Sequence, residues 1–537
     1  MAAPRGGAPV TRGKIRVSGW TKWLEVSSEI ARLLPSKAAW KCAARALEEM
    51  PQGDDLAFLV RLAVLAAQYG EPDLALSWID ARQRGAAPHL EEGLGACEVA
   101  RMAVDLASKD YGAVEDRLRS MDWRKVPSAP WIVNTRLLLA LRWNDAPLFL
   151  DLLRRPSSEL PHPPDFDEPY DRGNRLRILG LHFFAAGRWR RGLGCFRAAL
   201  RELAKDRAVD ARLKEVEILG ACGTAAYHGG HLEEAQDYLE SAIEAAGALH
   251  HSFYRGKFEH ELALVHADRE EYGRAEMILL KVEEEARERD AGTASDHFLR
   301  TGALISAGCV AIETGEGAKA AQYLDAAGTL LGERDHPRYR GYLHLSMGRL
   351  ASLSQSAESS RKAFEEYDRA EACFRSLGDG DLIGLAKVRL HRGRLHLKLR
   401  EVREALAEAF ECAKAARESH FQPVEASCLL FKSQLLLEKG IQESEGLYEE
   451  VLGHLGSVRS PRTLFKVISN LYLYSWELGE RLDLTAYHLR QINRMAEILD
   501  RRTFDTLYET HVVQRVARRL VARTFGLDPA ALGPEES

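Results

Sequence analysis

The length, composition and charge of the chain exclude several classes of protein. At 537 residues it is too long for one compact core, so it must form several domains or a fold that grows along one axis. Its 46% hydrophobic and 28% charged residues are typical of folded soluble proteins, and a net charge of -5 gives no overall attraction to nucleic acid or anionic membranes.

The N-terminal segment, residues 1–19, does not resemble a secretory signal. It carries four basic residues but lacks the apolar run that such a signal needs. A mitochondrial transit peptide is the alternative, since the first acidic residue is Glu25, but the segment is rich in Gly and Pro and is not amphipathic. We predict a flexible tail at residues 1–19, no transmembrane helix and a cytoplasmic protein.

The eight cysteines are spread singly along the chain and form no CxxC pair. Most of them lie within apolar helical patterns, where a free cysteine packs as a small hydrophobic residue. We therefore predict a reduced intracellular protein with thiols in its core. A hydrolase with a Cys nucleophile and a distant His is the enzymatic alternative.

Residues 20–155 predict an N-terminal helical domain built from degenerate helix pairs. Leu62, Gly70 and Ala75 belong to its most regular unit, with Gly70 at the turn between two helices. Residues 156–170 follow and hold five prolines and four acidic residues. Because proline fixes φ and interrupts helices, we predict a linker here.

After the linker, residues 171–420 carry a recurring pattern of small residues. Its clearest copy has Gly180 in a first helix, Gly187 at a turn, and Gly192 with Phe196 in a second helix. A small residue recurs at the start of each second helix, at Gly192, Ala235, Ala275, Ala320, Ala370 and Ala405. Gly in the first helix lets the second approach closely, Gly at the turn accepts a left-handed backbone, and a large apolar residue four positions after the small one fills the gap.

This pattern resembles the tetratricopeptide (TPR) repeat over residues 177–418. The resemblance implies an all-α fold, a right-handed superhelical solenoid of antiparallel helix pairs, which usually serves as an interaction module. The spacings between the small residues all exceed the standard unit of about 34 residues. In this respect the chain is similar to the longer-helix TPR variants of bacterial regulatory and signalling proteins.

Residues 421–526 predict further degenerate repeats that end in a capping helix, and residues 527–537 predict a disordered tail. The last helix combines an apolar stripe that includes Val513 and Leu520 with a basic side. We favour a cap with its apolar side towards the stack and its charges towards water, and docking on phosphates or an acidic partner is the alternative. The basic side consists of Arg515, Arg518, Arg519 and Arg523.

The motifs that could carry chemistry fail on spacing. His260 and His266 are six positions apart, whereas a zinc-protease helix needs two histidines four apart, so we interpret them as histidines on a helix surface. The glycine-rich segments near Gly315 and Gly378 match turns between helices better than phosphate or calcium loops. We predict no catalytic residues, no metal and no cofactor.

The first helix of each TPR unit lines the concave groove. When the units are aligned on their small residues, the side chains that face inwards are mostly basic and aromatic. They are Arg177, Phe184, Tyr227, His228, Lys257, His260, Arg349, Lys387, Arg394 and Lys398. Because arginine and lysine form charge-assisted hydrogen bonds with carboxylates, we expect an acidic peptide or a carboxylate-bearing partner segment. Leu181 stands where the family's carboxylate-clamp pattern has asparagine, which disfavours binding of chaperone tails.

The sequence therefore predicts a protein–protein interaction scaffold or adaptor rather than an enzyme. The alternative is a regulatory sensor subunit of a bacterial transcription or defence signalling system, acting on a separate effector chain. The residue usage is typical of a high-GC bacterium. Neither nucleic acid nor a membrane is an expected partner, and the sequence does not indicate the oligomeric state.

Overall fold

A computed structural model describes the chain from the first helix to the last with gaps. The described residues are 37–48, 56–85, 91–108, 111–120, 130–142 and 169–525, apart from 290–293, 334, 355, 378–380, 439–444, 456–460, 479–481 and 500, together with a few residues between 26 and 34. The predicted tails at 1–19 and 527–537, and residues 156–168 of the predicted linker, lie outside them. The last two linker residues begin a helix at Pro169.

The described residues are helical throughout and include no β-strand, as the sequence predicts. The helices before the central part of the chain are α1 (Lys37–Glu48), α2 (Leu56–Gln68), α3 (Pro72–Gly85), α4 (Glu91–Ser108), α5 (Tyr111–Ser120), α6 (Pro130–Arg142), α7 (Pro169–Ala185) and α8 (Trp189–Leu203). The next helices are α9 (Val209–His228), α10 (Leu232–Ala248), α11 (Ser252–Asp268), α12 (Tyr272–Arg289), α13 (Ala294–Glu313), α14 (Gly317–Glu333), α15 (Pro337–Ser352) and α16 (Ala357–Arg375). The chain continues with α17 (Leu382–Lys398), α18 (Val402–Ser419), α19 (Gln422–Glu438), α20 (Glu445–His454), α21 (Pro461–Leu478), α22 (Leu482–Met495), α23 (Arg501–Tyr508), a π-helical segment (Glu509–Val513) and α24 (Gln514–Phe525).

The chain divides into two compact units. Unit 1 comprises residues 1–222 and 240–255, and unit 2 comprises residues 223–239 and 256–537. Within unit 2, neighbours along the chain pack as pairs, and the first helices of successive pairs, α13, α15, α17, α19 and α21, contact one another in series. Within unit 1, α2, α4 and α6 are linked in the same way. The predicted fold class, a TPR-like stack of helix pairs, is thus confirmed in each unit.

Short turns with left-handed backbone join the paired helices. Gly70, Gly187, Gly230 and Gly315 adopt φ values between 71° and 85° at these turns, as the pattern predicts. Glu270 takes the same conformation, with φ 64°, at the turn between α11 and α12. A side chain at such a position costs about 1 kcal/mol relative to glycine.

The small residues of the pattern mark close contacts between helices. A Cβ atom added to Gly180 would lie 2.5 Å from Phe196 Cδ1, and one added to Gly308 would lie 2.8 Å from a Leu324 methyl carbon. Phe196 and Leu324 are the large residues four positions after the small residue of their second helix, as predicted. The fifth copy differs, because Tyr367 rather than Phe374 packs on its Gly348.

Two of the cysteines form a disulfide, so the prediction that every thiol is free is wrong for them. Cys412 in α18 and Cys428 in α19 are both buried, and their Cα atoms lie 6.3 Å apart. The two positions are 16 residues apart and meet only because the two helices pack side by side. A search for local CxxC motifs cannot detect such a pair.

None of the described helices combines the length and the apolar character needed to cross a bilayer.

Replacing Gly180 with alanine should destabilise the α7–α8 pair by about 1–3 kcal/mol, because the new methyl group overlaps the Phe196 ring. Gly194 is the matched control, since it lies exposed in α8 with no atom within 4 Å of an added Cβ. Gly194→Ala should stabilise the helix by up to about 1 kcal/mol. Urea unfolding monitored by circular dichroism measures both changes, and equal stability of the two variants would contradict the packing account.

Candidate functional site

A cluster of basic side chains in unit 2 lies on one face of α17. Lys387, His391 and Arg394 are spaced by four and three residues, which places them one above the other on a helix. All three are half-buried. Because α15 and α17 are in contact, Arg349 of α15 adds a further cation, and we call these four residues the cationic cluster.

Aromatic contacts connect the first residues of unit 2 with a helix far along the chain. The rings of Tyr227 and His228 at the end of α9 lie 5.3 and 4.6 Å, centroid to centroid, from the ring of Phe421, which directly precedes α19. Phe421 itself is buried. The series of helices in unit 2 therefore bends back on itself, and the side that faces inwards is concave.

Ion pairs make a second connection of the same kind. Glu270 Oε1 accepts a hydrogen bond from Lys466 Nζ at 2.8 Å, and its other oxygen lies 3.4 Å from Arg462. These partners in α21 follow Glu270 by 196 and 192 residues. The connection gives the Glu270 side chain a structural role at this turn. We call the aromatic and ionic connections together the closure contacts.

The side chains around the cationic cluster are partly engaged with each other. Arg349 forms an ion pair with Glu313 at the end of α13, and Lys387 Nζ lies 5.7 Å from the centroid of the Tyr342 ring. On the α9 and α11 side, the hydroxyl of Tyr227 donates a hydrogen bond of 2.8 Å to Asp268. Cations and aromatic rings thus stand beside carboxylates on this surface, and Asp381 acts on Tyr342 as Asp268 does on Tyr227.

The histidines of this surface are neutral at physiological pH. Burial lowers the pKa of His391 well below its ordinary value, and the positive charges of Arg349, Arg394 and Lys387 act in the same direction. Burial, together with the charge of Lys387, lowers the pKa of His228 to about 4. Burial, together with the charge of Arg349, also lowers the pKa of the Arg394 guanidinium, although Glu313 acts in the opposite direction. A bound anion would relieve this crowding of positive charge.

The predicted groove residues fall into two groups. Five of them, Tyr227, His228, Arg349, Lys387 and Arg394, lie on the surface just described. Three others contact neighbouring residues within unit 2, and the last two lie in unit 1.

Lys398, Lys257 and His260 have partners within unit 2. The ammonium of Lys398 donates to the backbone carbonyls of residues 352–354 at the end of α15, the shortest bond being 2.7 Å. Lys257 is exposed and lies 3.7 Å from Glu261. His260 Nε2 is 3.0 Å from Ser306 Oγ, and His266 is fully buried, so the interpretation of both as surface histidines is wrong. Each of them packs against the following helix or turn.

Arg177 and Phe184 lie in α7 of unit 1, where Arg177 belongs to a polar network. Its guanidinium is 3.6 Å from Glu217, which also accepts hydrogen bonds from Lys214, Tyr254 and Gln68 at 2.7 to 2.8 Å. Burial opposes ionisation of Glu217, but Lys214 and Arg177 lower its pKa to about 2. The network ties α2, α7, α9 and α11 together within unit 1.

The sequence predicts that the basic side of the last helix faces water, and this prediction is wrong. Arg515 is buried and donates a hydrogen bond of 2.6 Å to Asn470 of α21, and Arg519 forms an ion pair with Glu477 of the same helix. Arg518 is half-buried, whereas Val513 and Leu520 are exposed. The helix packs on α21 through its arginines, because α21 offers polar partners at this position. The Arg523 side chain lies outside the described residues.

His391, Tyr342 and Phe421 belong to the site but were not predicted. The spacing of His391 from Lys387 and Arg394 is a signal that could have identified it. Phe421 carries no such signal, since its partners lie nearly 200 residues earlier. In the part of the chain that the structure describes, no three metal-binding side chains converge.

Comparison with known proteins supports the fold and leaves the family open. No protein-family model matches the sequence, and no curated protein matches it. Among solved structures, NprR in complex with its cognate peptide NprX is 12% identical, with a TM-score of 0.51, and the match covers 75% of this chain and all of NprR. Apo RapI is 9% identical, with a TM-score of 0.45, covering 54% of this chain and 98% of RapI. A Rap protein complexed with competence and sporulation factor is 11% identical, with a TM-score of 0.42, covering 82% of this chain and 98% of that one.

Reversing the charge of Glu270 should open unit 2. In Glu270→Lys the new ammonium would repel Arg462 and Lys466, so the ionic part of the connection would be lost while the aromatic contacts remain. Small-angle X-ray scattering should then show a larger radius of gyration than for the unchanged protein. The matched control is Glu284→Lys, which makes the same charge change at an exposed site on α12. Identical scattering of the two variants would show that the ion pairs do not hold the turn at Glu270 against α21.

The pKa of His228 should depend on Lys387. Lys387→Met removes a positive charge and should raise the His228 pKa from about 4 towards its ordinary value. The unfolded imidazole binds a proton near pH 6.5 and the folded one only near 4, so this histidine favours unfolding as the pH falls through that window. An NMR titration of isotope-labelled histidine measures the midpoint, and an unchanged midpoint would contradict the assigned contact.

Proposed function

We propose that the concave surface of unit 2 binds a segment of a partner protein or a peptide with acidic character. The observation that carries this proposal is the cationic cluster, which is half-buried on the concave inner surface of unit 2. A concave wall contacts an extended ligand along its length, and arginine and aromatic anchors usually contribute most of the binding energy of such contacts.

The similarity to NprR supports a peptide rather than another class of ligand. That structure contains a protein with the same fold and its cognate peptide, and the shared fold covers all of NprR. At 12% identity the ligand itself does not carry over, so the acidic character is argued from the charges of this chain alone.

The adaptor would have no catalytic activity of its own and would act in the cytoplasm, in a bacterium. The same similarity favours a second candidate function, in which the chain is a regulatory sensor subunit whose bound peptide alters its contacts with an effector protein. Both functions require the same groove, and they differ in whether binding changes a further interaction.

Binding can be tested with a pool of random synthetic hexapeptides, which the immobilised full-length protein would retain and mass spectrometry would identify. Retained peptides should be enriched in acidic residues. The double variant Arg349→Glu with Lys387→Glu should lower their retention at least about tenfold, as expected for the loss of two anchors.

Two further proteins make the experiment decisive. Arg361→Glu with Lys362→Glu makes the same charge change at exposed positions of α16 and should retain the pool normally. Lys387→Gln with Arg394→Gln leaves the ion pair of Arg349 intact, so it separates binding from folding. Normal retention by this last variant, folded by circular dichroism, would refute the proposed groove.

A further inference from the structure

The charges of the inner surface leave one positive charge unmatched. The described part of this surface presents three cations, Arg349, Lys387 and Arg394, against the two carboxylates of Glu313 and Asp268. Two further carboxylates at its edge have cations of their own, since Asp381 pairs with Arg338 and Glu261 lies beside Lys257. The imidazoles of His228 and His391 add no charge at neutral pH. The surface therefore has a net charge of about +1, in a setting where partial burial weakens screening by solvent.

The unmatched charge is best assigned to Arg394. Glu313 pairs with Arg349, and Asp268, which accepts the hydroxyl of Tyr227, is also attracted by Lys387. Among the described residues, no group accepts a hydrogen bond from the Arg394 guanidinium, although the side chain is half-buried. No nitrogen of this guanidinium is buried without a partner, so its N–H donors remain accessible to a ligand that enters the groove.

We propose that Arg394 binds one carboxylate of the ligand, with Lys387 and His391 completing the subsite. This inference rests on the proposed function and specifies the group that the groove recognises. The planar guanidinium can donate two parallel hydrogen bonds to the two oxygens of a carboxylate. Lys387, two turns earlier on the same face, supplies a second positive charge, and the neutral ring of His391 lies between the two.

The charge balance favours a carboxylate over a phosphate group. One carboxylate carries a single negative charge and neutralises the surface. A phosphate carries about 1.5 to 2 negative charges near pH 7 and would leave an excess that only protonation of His391 could compensate. Three neighbouring cations oppose that protonation. The subsite is thus matched to an anion of charge one.

The carboxylate could come from an Asp or Glu side chain or from the C-terminus of the ligand. Four hexapeptide pools separate these sources. One has a free C-terminus and no acidic residue, one has an amidated C-terminus and one Glu, one is amidated without acidic residues, and one is amidated with one phosphoserine. Each pool is applied to the immobilised full-length protein, and the retained fraction is measured by mass spectrometry.

We expect at least one of the two carboxylate pools to be retained about ten times better than the neutral pool. The better of the two identifies the source. Arg394→Gln should lower its retention to that of the neutral pool without changing the retention of the neutral pool. Arg394→Lys keeps the charge but loses the two parallel donors, so it should restore retention only in part. Arg361→Gln, at an exposed site on α16, is the control and should behave like the unchanged protein.

The possible failures are distinguishable. If the unchanged protein retains no pool, the proposed function and the subsite both fail. If it retains all pools equally, or if Arg394→Gln retains the carboxylate pools normally, the groove binds peptides and the carboxylate subsite is refuted. Preferential retention of the phosphoserine pool would also overturn the inference, because it would show a site for an anion of higher charge.

Discussion

The helix pairs of this protein depend on close contact between a glycine in one helix and a large apolar side chain in the next. Phe196 packs on Gly180 and Leu324 packs on Gly308, at distances that leave no room for a methyl group. Such contacts bring two backbones near enough to bury a face that neither helix can bury alone. Each pair then offers its first helix to the next pair, which is how α13, α15, α17, α19 and α21 come to lie in series.

This stacking determines which side chains share a surface, because it turns the same face of successive first helices in one direction. Charges that are far apart in the sequence, such as those of Arg349 and Arg394, therefore share a surface. Bending the series back through Phe421 and Glu270 makes that surface concave, so its cations are partly removed from water. The lowered pKa of His391 is a direct consequence of this crowding.

Periodicity in the sequence was enough to predict these local features. The repeat pattern predicts the helix pairs and the glycine turns, and both are confirmed. The groove residues that it selects, such as Arg349, Lys387 and Arg394, remain a prediction. It could not predict Phe421 or the ion pairs of Glu270, because each joins residues nearly 200 positions apart and leaves no periodic signal. The disulfide between Cys412 and Cys428 and the buried position of Arg515 depend on which neighbours a helix meets, and a single helix pattern does not contain that information.

Repeat position alone also does not separate a binding residue from a structural one, as Arg177 and Arg394 illustrate. Both were placed on the inner face by the same alignment. Arg177 lies beside Glu217, whose carboxylate is also bonded by Lys214 and Tyr254, so its charge is compensated within unit 1. Arg394 is repelled by Arg349, and the carboxylate that attracts it, Glu313, is already paired with Arg349. A protein can keep an uncompensated, half-buried cation only at a cost in stability, and that cost is recovered when an anion binds. Charge compensation, rather than repeat position, is therefore the criterion that identifies the site.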